Sequence, residues 1–204
     1  FIDVWQFHEV IYDNDPDWIC GVDGALEAAE AARKAGKVRL IGFTGHKHPD
    51  IFRKMLSTGF EWDTVQMPIN VVDAHFRSFQ KEILPVLNER GIGCIGMKSL
   101  GGEAQLVTDA GLTAEACRRY AMSCSISTLV AGIESAENLE QDLNIARNFV
   151  QMTPEEMIEL SDSVRDQAGD GRHEWFKSTQ FYDSSYHREQ HSFPPISHVS
   201  GKLD

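Results

Sequence analysis

The sequence predicts a parallel α/β protein, and three observations lead to this prediction. Short β-rich apolar runs alternate with helical segments along most of the chain. A run and the helix after it recur at intervals of roughly 30 residues, the size of one strand–helix unit in a (β/α) barrel. The alternative, a doubly wound open sheet, would be favoured by a Gly-x-Gly-x-x-Gly motif after the first run, and this motif does not occur there. We therefore expect right-handed βαβ units around one parallel sheet.

Each predicted strand is a short apolar run that ends in glycine or polar residues, as expected for buried strands. Five runs fit this description: residues 1–8, 38–43, 63–67, 92–97 and 126–131. The fourth run leads into a loop with a lysine, a serine and two glycines, a composition suited to holding a phosphate.

The segments between the runs carry helix signals. Residues 25–35 are rich in Ala, Glu and Lys and are followed by Gly36, and Pro49 begins a second helix that runs through Met55. Apolar residues at helical spacing surround Pro85, which predicts a kink or break. The remaining helix starts are residues whose side chains can cap a helix: Thr113, Ser135, and Thr153 within Thr153-Pro154-Glu155-Glu156, where Glu156 can complete a capping box.

The pattern predicts one domain, residues 1–168, followed by an irregular aromatic tail, residues 169–204. His187 and His191 stand four apart, as two metal ligands on one helix face would. The tail pattern is not helical and offers no third ligand, so we expect the tail to dock against the barrel and predict no metal site.

Composition excludes several classes of partner. The chain is 42% hydrophobic and 25% charged, and its net charge of -12 should repel nucleic acid and anionic membranes. The four cysteines form no Cys-x-x-Cys, which favours a reducing cytoplasm. No run approaches the roughly 18 apolar residues of a membrane span, and no signal-peptide pattern is present. These features predict a cytoplasmic protein.

Candidate ligand-binding groups lie at the predicted strand ends, where parallel α/β proteins bind their ligands. An imidazole, a primary amide, a lysine, hydroxyls and glycines are expected at this rim, which favours a phosphorylated, amide-bearing ligand. The chain has no Gly-x-Ser-x-Gly, and no carboxylate pair suited to glycoside hydrolysis stands out. The groups occur at His8, Thr44 to His46, Gln66 to Asn70, Met97 to Gly102 and Gly132 to Glu134. Taken singly, each has a structural explanation, such as a hydrogen-bonded histidine or a solvated lysine.

These strand ends resemble the aldo-keto reductases in order and spacing over about residues 1 to 165. The matching segments are Phe1–His8, Ile41–His46, Val65-Gln66, Gly96–Gly102, and Val130–Ser135 with Glu137-Asn138-Leu139. The resemblance implies a (β/α)8 TIM barrel that reduces the carbonyl group of a small-molecule substrate with NADPH, or with NADH, and without metal. Only five of the eight strands are visible, so we expect an incomplete barrel that lacks the first three βα units, roughly 90 residues before Phe1.

The resemblance also implies roles for individual residues. His8 matches the active-site histidine, which orients the substrate carbonyl. The other positions would contact the cofactor: Thr44, Gly45 and Gln66 at the carboxamide, Met97 at the nicotinamide ring, Lys98, Ser99, Leu100, Gly101 and Gly102 at the pyrophosphate, and Gly132, Ile133, Glu134, Asn138, Gln141 and Asp142 at the adenosine end.

The chain departs from the family pattern at several positions. Gly45 stands where the family has an asparagine, and Gly132 and Asn138 stand where basic residues often bind the 2'-phosphate, so NADP is expected with NAD as an alternative. The family's aspartate, tyrosine acid and lysine have no match here. We therefore expect no measurable carbonyl reduction by this chain alone.

Two other functions stay open on the sequence. One is a non-catalytic barrel that binds a nucleotide to sense or to scaffold. The other is a phosphate-binding barrel isomerase or aldolase. Binding of a sugar phosphate without binding of a nicotinamide cofactor would support this function.

Overall fold

The structure is a computed structural model that describes residues 1–177, 185–190 and 192. The chain forms two compact units. The first contains Phe1–Val65 and the described residues from Glu174 onward, and the second contains Gln66–His173. Because residues from Glu174 onward group with the N-terminal residues, the division into a barrel part, 1–168, and a tail, 169–204, stays a prediction.

The secondary structure alternates between strands and helices as the sequence predicted. The strands are β1 Ile2–Phe7, β2 Val38–Thr44, β3 Thr64–Pro68, β4 Gly93–Met97 and β5 Thr128–Leu129. The helices are α1 Asp15–Cys20, α2 Ala25–Lys34, α3 Pro49–Leu56, α4 Phe79–Glu82, α5 Leu84–Arg90, α6 Gln105–Thr108, α7 Ala114–Ser123, α8 Ala136–Arg147, α9 Pro154–Ser163, α10 Arg165–Ala168 and α11 Ser185–Gln190, with 3-10 turns at Asp73–His75 and Trp175–Lys177.

In the first unit, β1 and β2 are parallel over nearly their whole length. Their register runs from Ile2 beside Val38 to Phe7 beside Phe43. The start of β3 lies so close to β2 that a Cβ on Gly42 would meet the Thr64 side chain and carbonyl. Buried apolar side chains from β2, α3 and the segment before β3 form the core of this unit: Ile41, Phe43, Phe52, Met55 and Trp62.

In the second unit, the strand order is β3-β4-β5. The Ile69 amide donates to the Met97 carbonyl at 3.0 Å, and β5 pairs in parallel with β4, with Ile95 opposite Thr128. The predicted class, an α/β protein with five parallel strands, is confirmed.

The predicted helix boundaries are largely confirmed because they rest on local chemistry. Pro85 divides the predicted helix into α4 and α5, which meet at Ile83. Thr113 accepts a hydrogen bond from the Ala116 amide at 3.1 Å, and Thr153 and Glu156 form the predicted capping box of α9.

The structure differs from the predictions in three places. No helix was predicted between the first strand and the helix at residues 25–35, where Asp15–Cys20 form α1; Pro16 starts this helix, and Asp15 helps to fix it by accepting from the Ile11 and Tyr12 amides. Strand β5 has only 2 residues, because only Ile95 and Gly96 of β4 pair with it. The tail is not irregular throughout, since it contains α11.

Candidate functional site

A cavity of about 740 Å³ lies in the second unit, at the carboxyl ends of β3 and β4. The volume is within the usual range for a small-molecule or cofactor site. Its lining combines an amide, a thioether, glycines and both signs of charge: Gln66, Met97, Lys98, Ser99, Leu100, Gly101, Gly102, Glu103, Ala104, Arg118, Val130, Gly132, Glu134, Asn138, Gln141 and Asp142.

The loop after β4 forms one wall of the cavity and is held in an unusual backbone conformation. Lys98, Gly101 and Ala104 have φ of 56°, 83° and 64°, all in the left-handed region. At Gly101 a Cβ would come within 2.9 Å of the Gln105 side-chain oxygen, so a side chain there would collide as well as strain the backbone. The Gly101 amide donates to the Lys98 carbonyl at 2.9 Å and the Glu103 amide to Gln105 Oε1 at 2.6 Å. These bonds fix the conformation of the loop.

Two side chains meet where this loop leaves β4. Gln66 Nε2 donates to the Met97 sulfur at 3.5 Å, a weak hydrogen bond. This contact sets the Gln66 amide beside the thioether on the cavity wall. The pair can offer an amide donor and acceptor next to an apolar surface.

A buried cation joins the loop to the opposite wall. Arg118, on α7, donates through Nε to Asp142 Oδ1 at 3.1 Å and through a terminal nitrogen to Asp142 Oδ2 at 3.2 Å. Its other terminal nitrogen donates to Ser99 Oγ at 2.5 Å. The Arg118 and Asp142 side chains are only 8% and 15% exposed, so water screens this pair weakly. One guanidinium thus holds the β4 loop and helix α8 together.

Arg118 was not predicted as a site residue, because the predicted residues lie at strand ends and at the start of α8, whereas Arg118 lies within α7. Glu103, Ala104 and Val130 were missed as well. The signal that could have found Arg118 is its position on α7 among buried residues, since a buried arginine is paired in almost every case.

The third wall comes from β5 and the start of α8. Ser135 caps α8 by accepting from the Asn138 amide at 3.1 Å, which fixes Asn138 and Gln141 in the first turns of the helix. A Cβ at Gly132 would meet no atom within 4 Å, so this residue leaves open space beside the cavity. Ile133, which was predicted with this group, is 49% exposed and does not line the cavity.

The remaining predicted site residues lie in the first unit and do not line this cavity. His8 directly follows β1 and is exposed, and Thr44 and Gly45 are buried at the end of β2. A Cβ at Gly45 would come within 2.3 Å of the Val10 carbonyl oxygen and 2.8 Å of the Phe52 ring. This close approach explains why glycine stands where the family pattern has asparagine.

Two buried titratable groups of the second unit, Cys94 and Tyr120, are not among the residues that line the cavity. Burial raises the pKa of Cys94 to about 12 and that of Tyr120 to about 12. Tyr120 exchanges hydrogen bonds with Gln80 at 3.0 and 3.3 Å and is not among the lining residues. It is therefore a structural hydroxyl rather than an acid of this site.

The described part of the chain contains no group of three His, Cys, Asp or Glu side chains placed to hold a metal. The His187 side chain and His191 lie outside the described residues. Among the described helices, none is both long and apolar enough to cross a bilayer.

The lining chemistry fits a nicotinamide dinucleotide. The rigid, left-handed loop, the lysine and the glycines suit a pyrophosphate, and the amide of Gln66 suits a carboxamide. The fit rests on residues of the second unit alone.

Solved structures of similar fold are aldo-keto reductases. The chain aligns with the aldo-keto reductase AKR11C1 from Bacillus halodurans at 17% identity, with TM-scores of 0.60 for the apo form and 0.61 for the holo form. It aligns with an aldo/keto reductase from Brucella melitensis at 14% identity and a TM-score of 0.56. In each case 80% of this chain is covered, together with 62%, 59% and 61% of the respective structures. These likenesses show the fold, and the chain spans about 60% of the length of the structures it matches.

A comparison with curated proteins found no match. The model of the aldo/keto reductase family matches residues 1–112 of the 204. The matched segment contains β1 to β4 and the loop that forms one wall of the cavity. The chain therefore belongs to the aldo/keto reductase family.

Proposed function

We propose that the whole protein reduces aldehydes or ketones to alcohols with NADPH or NADH. The observation that supports this most is the cavity of the second unit, in which Gln66, Met97 and the Lys98–Gly102 loop form one continuous wall. The family match and the shared fold with solved reductases support the same chemistry. The nicotinamide, when bound, supplies the hydride.

The second unit would hold the cofactor. Met97 would face the nicotinamide ring, and Gln66 would hydrogen-bond its carboxamide. The Lys98–Gly102 loop would bind the pyrophosphate through backbone amides and the lysine. The adenosine end would be surrounded by Gly132, Ile133, Glu134, Asn138, Gln141 and Asp142. The hydrogen bonds within this loop would lower the ordering cost of binding.

The first unit would supply groups for the substrate and the carboxamide. We assign His8 the orientation of the substrate carbonyl, since an imidazole can donate a hydrogen bond to a carbonyl oxygen. Thr44 would contact the carboxamide through its hydroxyl. Gly45 would contribute only its backbone, because the Val10 carbonyl leaves no room for a side chain.

The 204-residue chain alone should bind cofactor without turnover. Carbonyl reduction needs a proton donor at the developing oxyanion, and an acid tuned by a neighbouring cation serves this role well. Tyr12 and Tyr120 are buried, and Tyr120 belongs to a structural hydrogen bond.

A cytoplasmic location accords with the four unpaired thiols.

Titration of the full chain with NADPH and with NADH, followed by cofactor fluorescence, tests this function. We expect saturable binding of at least one cofactor and no detectable oxidation on addition of an aldehyde. Gln66→Ala should weaken binding by about tenfold, the cost of one well-placed hydrogen bond to a buried amide. The matched control Gln80→Ala, outside the cavity lining, should leave cofactor affinity unchanged. Binding of neither cofactor would refute the proposed function.

A further inference from the structure

The cavity of the second unit contains more negative than positive side chains. The positively charged lining residues are Lys98 and Arg118, and the negatively charged ones are Glu103, Glu134 and Asp142. The sum is 2 positive and 3 negative charges, a formal charge of -1. A pyrophosphate bound in this cavity would therefore meet more negative than positive side chains.

The hydrogen bonds of Arg118 within the protein leave its positive charge less available to a phosphate. Asp142 occupies two of its donors in the bidentate arrangement that a phosphate would otherwise use, and Ser99 occupies a third position on the guanidinium. The Arg118 charge is therefore matched from within the protein. An additional phosphate would have to displace the largely buried Asp142 carboxylate to bind the guanidinium in this way.

The size of the cavity limits how far an extra phosphate can lie from the lining charges. A sphere of 740 Å³ has a diameter of about 11 Å, comparable with the Debye length of about 8 Å at physiological salt. Salt therefore screens only part of the effect of each lining charge on a phosphate in the cavity. The 2'-phosphate that distinguishes NADPH from NADH adds a charge of about -1.5 to -2 at neutral pH.

We propose that the Arg118–Asp142 pair makes this cavity selective for NADH over NADPH, with Asp142 as the residue that sets the preference. This inference rests on the proposed function, since it names which cofactor the same site takes. Asp142 acts by neutralising Arg118. Glu134, an exposed residue on the third wall just before α8, adds a further negative charge. We expect NADH to bind at least about tenfold more tightly than NADPH.

Charge-neutralising variants of the full chain test the proposal in the same fluorescence titration. Asp142→Asn leaves Arg118 without a charged partner, so the ratio of the NADPH and NADH dissociation constants should fall by about tenfold. Glu140→Gln, an exposed position on the same helix outside the lining, removes an equal charge and should leave the ratio unchanged. Repeating the titrations in high salt should shrink the effect of each charge.

A second variant covers the case in which Asp142→Asn does not fold. Glu134 is exposed, so Glu134→Gln should fold and should lower the same ratio by about two- to threefold. Tighter binding of NADPH by the unmodified chain, or a ratio that neither variant shifts, would overturn this inference and leave the proposed function standing. Binding of neither cofactor would overturn both.

Discussion

The buried ion pair of the second unit predicts an unusually large loss of stability for one arginine substitution. Arg118→Met removes the cation and leaves Asp142 with its carboxylate largely out of water. At an N–O separation of 3.1 Å and an effective dielectric constant of about 20, the lost attraction is about 5 kcal/mol before desolvation is considered. Removing one partner of a buried pair usually costs about 3–5 kcal/mol, and we expect about 3 here because Asp142 retains some exposure.

The neighbouring arginine on the same helix is a matched control. Arg119 donates to the Val150 carbonyl at 2.8 Å and lies 3.6 Å from Glu156, with 30% of its side chain exposed. Arg119→Met should therefore cost no more than about 1 kcal/mol. Urea unfolding followed by circular dichroism measures both free energies.

A double-mutant cycle separates the pair from its surroundings. Arg118→Met combined with Asp142→Leu should recover about 2 kcal/mol relative to the sum of the single losses, because the double variant leaves no unpaired charge. Part of the loss should remain, since Ser99 Oγ is buried and loses its donor. Equal costs for the two arginines, or strictly additive costs for Arg118 and Asp142, would contradict a strong coupling between Arg118 and Asp142.

Three further predictions concern stability. Gly45→Ala should lower the free energy of unfolding by about 1–3 kcal/mol in urea titrations because its Cβ meets the Val10 carbonyl, whereas Gly169→Ala, with no atom within 4 Å of its Cβ, should be nearly neutral. Thr153→Ala removes the capping box of α9 and should cost about 1 kcal/mol by the same measurement, and an unchanged midpoint would contradict this. Burial raises the pKa of Cys94 from its ordinary 9.0 to about 12, so the folded state holds this proton more tightly than the unfolded state. Its contribution to stability is thus complete below about pH 9 and declines as the pH rises toward 12, which a series of thermal melts should detect and Cys94→Ala should weaken.

Most of the fold could be predicted from the sequence because its signals are local. The capping box at Thr153 and the break at Pro85 are encoded within a few residues, and both occur as predicted. The short β5 could not be predicted, since its length depends on how many residues of β4 pair with it. Helix α1 was missed because its polar first turn resembles a loop in composition.

The site was predictable to the extent that it follows strand ends. The loop from Met97 to Gly102 and the residues that start α8 line one cavity, although their roles stay predictions. Arg118 could not be found in this way, because its contacts with Ser99 and Asp142 join residues far apart in sequence. The reason for glycine at position 45 likewise depends on the approach of Val10, which only three-dimensional structure reveals.

Hydrogen exchange of the full chain with and without NADH tests whether the cavity of the second unit is the dinucleotide site. Bound NADH should slow amide exchange in peptides that cover residues 97–104 and 130–142, and this protection should be lost in Gln66→Ala at the same NADH concentration. Amides of α9, which contributes no residue to the lining, should exchange at unchanged rates. Saturable NADH binding that protects other segments and leaves the β4 loop unprotected would contradict the account.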